Sequence, residues 1–184
     1  MITYEVSKAD LEYVQSKLKG MEEKAPRVFK NAVNHTAKQA RKKLAAGAQG
    51  AYTVRDGGFN SRMKIQNATV GNLQAVIRSI GKTLTLKRFH TTAPRSGAKA
   101  EVVKTGLKQI HGQWKTKAFK SKGKGLIMQR ESPKKYPVHV LRSVSVPKML
   151  EKVYKGERGI EGDLAPVIER TLHDEIEAEV AKLI

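Results

Sequence analysis

The sequence predicts an α+β protein: an antiparallel sheet with a long N-terminal and a long C-terminal helix packed mainly on one face, plus a basic β-hairpin arm. Three observations lead there. Two long stretches, residues 26–48 and 164–184, repeat their apolar residues at helical spacing. Between them the chain breaks into short alternating segments separated by Gly and Pro. The order of a short strand, helices, a run of strands and helices again lacks the regular βα alternation of a parallel sheet. At 184 residues the chain fits one domain, 1–184, large enough to bury a core without disulfides or metals.

Taken in order, ITYEVS alternates and reads as a strand, with Ser7 placed to cap the next segment. KADLEYVQSKLKG carries Leu11, Val14 and Leu18 on one helical face and stops at Gly20. Pro26 opens the strongest helix, whose stripe is Phe29, Val33, Ala37 (or Thr36), Ala40 and Leu44. Arg27, Lys30, Lys38, Arg41 and Lys42 take its other face, and bases near its C-terminal end suit the dipole. Small residues come next (AAGAQGAYTV), and RDGGFNSR ends the regular structure.

RMKIQNAT, NLQAVIRSI, LTLKRFHTT and AKAEVVKTG read as strands. WKTKAF and GLIMQRE flank KSKGK, which predicts a projecting hairpin over 115–131 inside a basic β region of about 82–135. VHVLRSVSV is one more strand, and PKMLEKVYKG is a short helix with Pro147 at its start. Asp163 caps the last helix, with Leu164, Ile168, Leu172 (or Thr171), Ile176, Val180 and Leu183 as its stripe.

Charge is the dominant signal: 36 Lys and Arg against 17 Asp and Glu, a net of +19. Residues 82–135 hold fifteen bases and two acids, Glu101 and Glu131; residues 160–184 hold seven acids and two bases. Such a charge attracts polyanions. Regions of opposite sign meet either within the fold or across a subunit boundary.

Enzyme chemistry finds no foothold. The five histidines (35, 90, 111, 139 and 173) show no metal-ligand pairing, and there is no cysteine to complete a site. The GKT at 81–83 is not a Walker loop, because Val76 stands where its first glycine is required. GERGIEG reads as a loop, no G-x-S-x-G nominates a nucleophile, and the basic middle has too few acids for a two-cation nuclease. The expectation is no catalytic residue, no metal and no cofactor. No apolar run is long enough for a membrane helix, and the N-terminus lacks a signal-peptide pattern, so a soluble protein is expected.

Lys115, Lys117, Lys120, Lys122 and Lys124 are the candidate contacts for DNA phosphates or for a neighbouring subunit. The aromatics near them, Phe89, Trp114, Phe119 and Tyr136, are too scattered for a base-stacking platform, and no helix-turn-helix or zinc motif is present. Sequence-specific reading of nucleic acid is not expected; non-specific phosphate contact stays open beside the reading of a merely solvated face.

Three segments, in order, resemble the minor tail protein Z family of tailed bacteriophages and prophages, the lambda-type tail completion protein. NAVNHTAKQARKKL followed by YTV resembles that family's opening helix and its tyrosine-valine exit. ATVGNLQAVIRSIGKTLTLKRFH is similar to its Gly-Asn-Leu turn, strand, linking GK-x-L-x-L and second strand ending at Phe89. VLRSVSVPKML resembles its Ser-Val-Pro-x-Met-Leu element. The resemblance spans about 26–184. The chain departs from it where Arg142, Ser143 and Val144 replace the usual Gly-Pro before Ser-Val-Pro, and where KGKGLIM replaces a Gly-His segment before a strand.

The resemblance implies a non-enzymatic virion protein of the neck or upper tail, assembled in the bacterial host cytoplasm. It would be a ring homo-oligomer, best taken as a hexamer, that helps join tail to head. Its expected partners are itself, the tail terminator, the tail tube and head-closure proteins, with genomic DNA in the channel as a further contact and no membrane. Ser145, Val146, Pro147, Met149 and Leu150 are then expected to form a turn-and-helix subunit contact. The alternative is a non-specific nucleic-acid-binding protein that uses the basic middle as a phosphate clamp. A metal-dependent nuclease ranks third, since its ligands cannot be named.

Overall fold

Short polar side chains start the helices where the sequence places them. In the computed structural model, which describes residues 2–4, 6–55, 58–159 and 162–184, Ser7 caps α1 (Lys8–Lys17) through a capping box. Its hydroxyl accepts from the Asp10 N–H at 3.2 Å, and the Asp10 carboxylate accepts from the Ser7 N–H at 3.3 Å. Asp163 caps α4 (Leu164–Ala181), its carboxylate accepting from the Ala165 N–H at 2.9 Å. Glu5 of the predicted first strand, Asp56 and Gly57 of RDGGFNSR, and Ile160 and Glu161 of GERGIEG lie outside the described residues.

The long helix α2 (Ala25–Ala51) buries the whole expected stripe from Phe29 to Leu44. It also runs past residue 48, because Gly47, Ala48 and Ala51 are small enough to bury against close neighbours. Its last turn therefore holds no base, and Arg41 and Lys42 sit two turns short of the end. The dipole reading of those bases is corrected accordingly, since that interaction fades within the last turn.

The strands are β1 (Ile2–Tyr4), β2 (Met63–Gln66), β3 (Ala75–Ser79), β4 (Thr83–Thr85), β5 (His90–Thr92) and β6 (Lys99–Glu101). They continue as β7 (Lys108–Gln109), β8 (Phe119–Lys120), β9 (Ile127–Arg130), β10 (Val138–Val140) and β11 (Arg142–Ser145). They pair antiparallel in four small sheets: β1-β3-β2, β11-β4, β5-β6-β7 and β10-β9-β8. Two of the expected strands are split between sheets. A 3-10 turn at Leu86–Arg88 splits LTLKRFHTT into β4 and β5. Leu141 splits VHVLRSVSV: its N–H bonds the Ile127 carbonyl at 2.9 Å, and its carbonyl accepts from the Leu86 N–H at 3.1 Å. One residue thus ties the β10-β9-β8 sheet to the turn that separates β4 from β5.

The short helix α3 (Val146–Tyr154) comes directly after β11, with Pro147 in its first turn. Two apolar clusters fill the interior. One gathers Leu44, Phe59, Met63, Ile77, Phe89, Ile127, Met149, Leu164 and Ile168. The other gathers Val14, Leu18, Phe29, Val33, Ala37, Ala75, Leu172, Ile176 and Val180. Both long helices contribute to each cluster, and Ile65 touches both, so the α+β architecture is tied end to end. α2 lies against β2 and β3, while α4 packs on α2, α1 and α3. Asn31, Gln39 and Lys43 of α2 reach Glu179, Glu175 and Thr171 of α4. On another flank of α2, Asn34 brackets Ala68, accepting its N–H at 2.7 Å and donating to its carbonyl at 3.0 Å.

Candidate functional site

The basic stretch is held in place by neutral groups. β8 pairs with β9 over two residues, Phe119 opposite Met128 and Lys120 opposite Ile127, and β9 pairs in turn with β10. Ala118 and Ile127 are buried in the core, so the hairpin is anchored at its base and only a short tip stands in solvent. The Ser121 N–H bonds the Leu126 carbonyl at 2.8 Å, and Gly125 takes φ +63° to close the tip. Gln129, 1% exposed, donates its amide N–H groups to the carbonyls of Trp114 and Thr116, both at 2.6 Å. Of the expected strand WKTKAF only Phe119 is in a strand; residues 114–118 form an irregular segment clamped by one buried amide.

This scaffold leaves Lys115, Lys117, Lys120, Lys122 and Lys124 all exposed. Lys87 joins them: its ammonium donates to the Lys124 carbonyl at 2.8 Å. Lys87 and Lys120 both reach over Gly125, their Cε atoms 3.9 and 3.5 Å from where a Cβ would stand. Phe89 is in the core, and the Trp114 ring stacks on His139 at 4.5 Å. The Phe119 ring lies under the Arg130 guanidinium at 4.5 Å, and only Tyr136 is well exposed. The face offers cations to phosphates and no row of rings to bases.

A second basic feature went unnoticed in the sequence. Arg62, Lys82, Arg88 and Arg142 line one cleft of about 310 Å³ with Thr83, Thr85 and Val146. The β11–β4 pairing, which sets Arg142 opposite Thr85, makes the convergence. Positions 62, 82, 88 and 142 share no periodicity, so only the fold brings them together.

The expected subunit contact needs correction. Val146, Met149 and Leu150 are 3%, 0% and 4% exposed and belong to the chain's own core. The apolar face of an amphipathic helix this short can serve one partner, and here that partner is the monomer. Ser145 and Pro147 are half-buried at the mouth of a cleft of about 500 Å³ that Met63, Ile77 and Tyr154 also line.

Charge divides along the fold. Residues 39–168, which contain β2 to β11 and α3, hold 27 Lys and Arg against 7 Asp and Glu, a net of +20. The remainder, with α1, the start of α2 and most of α4, holds 9 against 10, a net of −1. Some acids of α4 are engaged at home. Glu175 meets His35 at 2.6 Å and Gln39 at 2.8 Å, and Glu179 meets Asn31 at 2.9 Å and also Lys182.

His35 pairs with Glu175, His90 with Glu101 at 3.0 Å, His139 with Glu131 and His173 with Asp10 at 2.9 Å. Burial raises the Asp10 carboxyl, but hydrogen bonds from His173 and Ser7 outweigh it, and the group sits below its ordinary 3.8. The same bond from Asp10 holds His173 above its ordinary 6.5. Among the described residues no three His, Asp or Glu side chains come together to hold a metal ion. No helix among them is long and apolar enough to cross a membrane.

No family model, curated protein or solved structure matches this chain.

Proposed function

We propose that the protein is a structural virion subunit of a tailed bacteriophage, a tail completion or neck protein whose ring, taken as a hexamer, helps join tail to head around the DNA channel. The observation that carries this reading is the ordered resemblance of three segments along 26–184. The division of charge supports it: residues 39–168, which hold every described strand but β1, carry a net +20 while the remainder is near neutral, which suits a subunit with unlike flanks. Heterologous contacts between unlike flanks close into rings. Assembly takes place in the host cytoplasm and the product resides in the virion, against the tail terminator, tail tube and head-closure proteins.

Electron micrographs of particles made without this protein test the proposal, with headless tails and tailless heads expected. Replacing Lys117, Lys120, Lys122 and Lys124 together by Gln should impair joining while leaving the fold intact, since all four are exposed. Normal infectious virions from that variant refute the role given to the tip.

The exposed lysines and the basic cleft favour one second reading, a non-specific nucleic-acid-binding protein. Light scattering at low and moderate salt separates the two. A stable ring free of nucleic acid supports assembly. A monomer that coats DNA and releases it steeply with salt supports the clamp.

A further inference from the structure

The cleft that holds Arg62, Lys82, Arg88 and Arg142 is built from four separate stretches. Arg62 ends the 3-10 turn Asn60–Arg62 that leads into β2. Lys82 lies in the link between β3 and β4, Arg88 ends the turn after β4, and Arg142 opens β11. Among the described residues no Asp or Glu lines the cleft. Like charges gathered from distant positions repel, and no described acid lines the cleft beside Arg62, Lys82 and Arg142.

The geometry suits one ligand chemistry. The Arg142 guanidinium donates Nη1–H to the Thr83 carbonyl at 3.2 Å, which steadies its planar fork beside β4. Thr83 and Thr85, whose side chains carry neutral hydroxyl donors, also line the cleft. Guanidinium forks match phosphate oxygens two at a time. Among the described residues no aromatic side chain lines the cleft to give a base a stacking surface. Gly81, Lys82, Thr83 and Arg142 are exposed, which leaves the cleft open along its rim.

The 3-10 turn Leu86–Arg88 extends the basic surface. Arg88 lines the cleft, while Lys87 next to it reaches the Lys124 carbonyl at the hairpin tip. The turn therefore carries one base at the cleft and another at the hairpin tip.

We propose that this cleft binds phosphate groups. They come either from the phosphodiester backbone of nucleic acid, which would run from the cleft toward the hairpin tip, or from a small free phosphate. The proposal stands on the cleft, whether or not the protein forms a ring.

The test uses the full chain and anisotropy of a fluorescent 20-base-pair duplex between about 50 and 200 mM salt, a range over which phosphate contacts show. The variant is Arg62→Ala/Lys82→Ala/Arg142→Ala, with Arg88 kept because it has a further partner within the chain. Its control, Arg27→Ala/Lys38→Ala/Lys42→Ala, removes the same charge from exposed positions of α2. Calorimetry with pyrophosphate forms the second arm, and circular dichroism checks each fold.

The cleft variant should lose at least about tenfold in duplex affinity, and its salt slope should fall by about three, one per contact removed. The control should stay within about threefold of the parent, as bulk charge alone would predict a small change. Loss of duplex binding with silent pyrophosphate assigns the backbone as the source. Pyrophosphate bound by the parent but not by the cleft variant, with duplex affinity unchanged, assigns a free phosphate. Equal losses in cleft variant and control, or no cleft-dependent binding of either probe, overturn the proposal. Arg62→Lys/Arg142→Lys keeps the charge without the fork, and parent-like binding by that variant would also overturn the fork-based recognition argued above.

Discussion

Met149→Ala separates a core residue from a subunit contact. The side chain is 0% exposed, packed in the cluster with Leu44, Ile77 and Val153. Ala and Met have similar helix propensities, so packing dominates the change. Loss of buried apolar surface costs about 1.5 kcal/mol. A void of roughly 70 Å³ that does not collapse, at about 24 cal/mol per Å³, adds about 1.7 kcal/mol. The sum, about 3 kcal/mol, is a large fraction of the roughly 5–15 kcal/mol that holds a domain together. Urea unfolding of parent and variant measures it, with Lys148→Ala as an exposed neighbour expected to stay within about 0.5 kcal/mol. Sizing at matched concentration completes the assay. A variant that keeps its unfolding midpoint while the oligomer falls apart refutes the placement of Met149 in the monomer core.

Single contacts supply the other predictions. Gly159→Ala should destabilise by about 3 kcal/mol or more, since φ is +78° and a Cβ would stand 2.3 Å from the Gly47 carbonyl oxygen of α2; an unchanged melting temperature contradicts that close approach. Gln129→Leu leaves the Trp114 and Thr116 carbonyls without their donor, and should cost about 2 kcal/mol. Faster amide exchange confined to residues 114–118 checks it, and unchanged exchange there argues against the clamp. The His173–Asp10 pair makes stability depend on pH. A raised histidine pKa contributes fully below 6.5 and is lost as pH rises through the folded value. A depressed aspartate pKa contributes above 3.8 and is lost as pH falls through its folded value. The pair therefore acts most between those limits, and His173→Asn should flatten the decline on the alkaline side in urea titrations at several pH values. A decline unchanged in that variant assigns it to another group.

The helices were legible because their signals are local. Ser7, Pro26, Pro147 and Asp163 mark starts through backbone groups within one turn, and the stripes on α2 and α4 recur at a spacing that only a helix converts into one face. The strands were legible as segments, but their grouping was not. Nothing near Leu141 signals that it will bond Ile127 and Leu86 at once and so divide β10 from β11.

The sequence by itself determined the α+β class, the helix boundaries to within a few residues and the surplus of positive charge. It also marked the five exposed lysines of the basic stretch, because lysine heads remain in water wherever the chain runs. Tertiary structure alone decided what those signals serve. It turned Val146, Met149 and Leu150 inward, clamped residues 114–118 with a glutamine from β9, and set Arg62, Lys82, Arg88 and Arg142 around one cleft. Periodicity reports which face a residue takes within its own element. Which residues from different elements meet depends on pairing and packing between segments far apart in the chain, and those contacts leave no local trace.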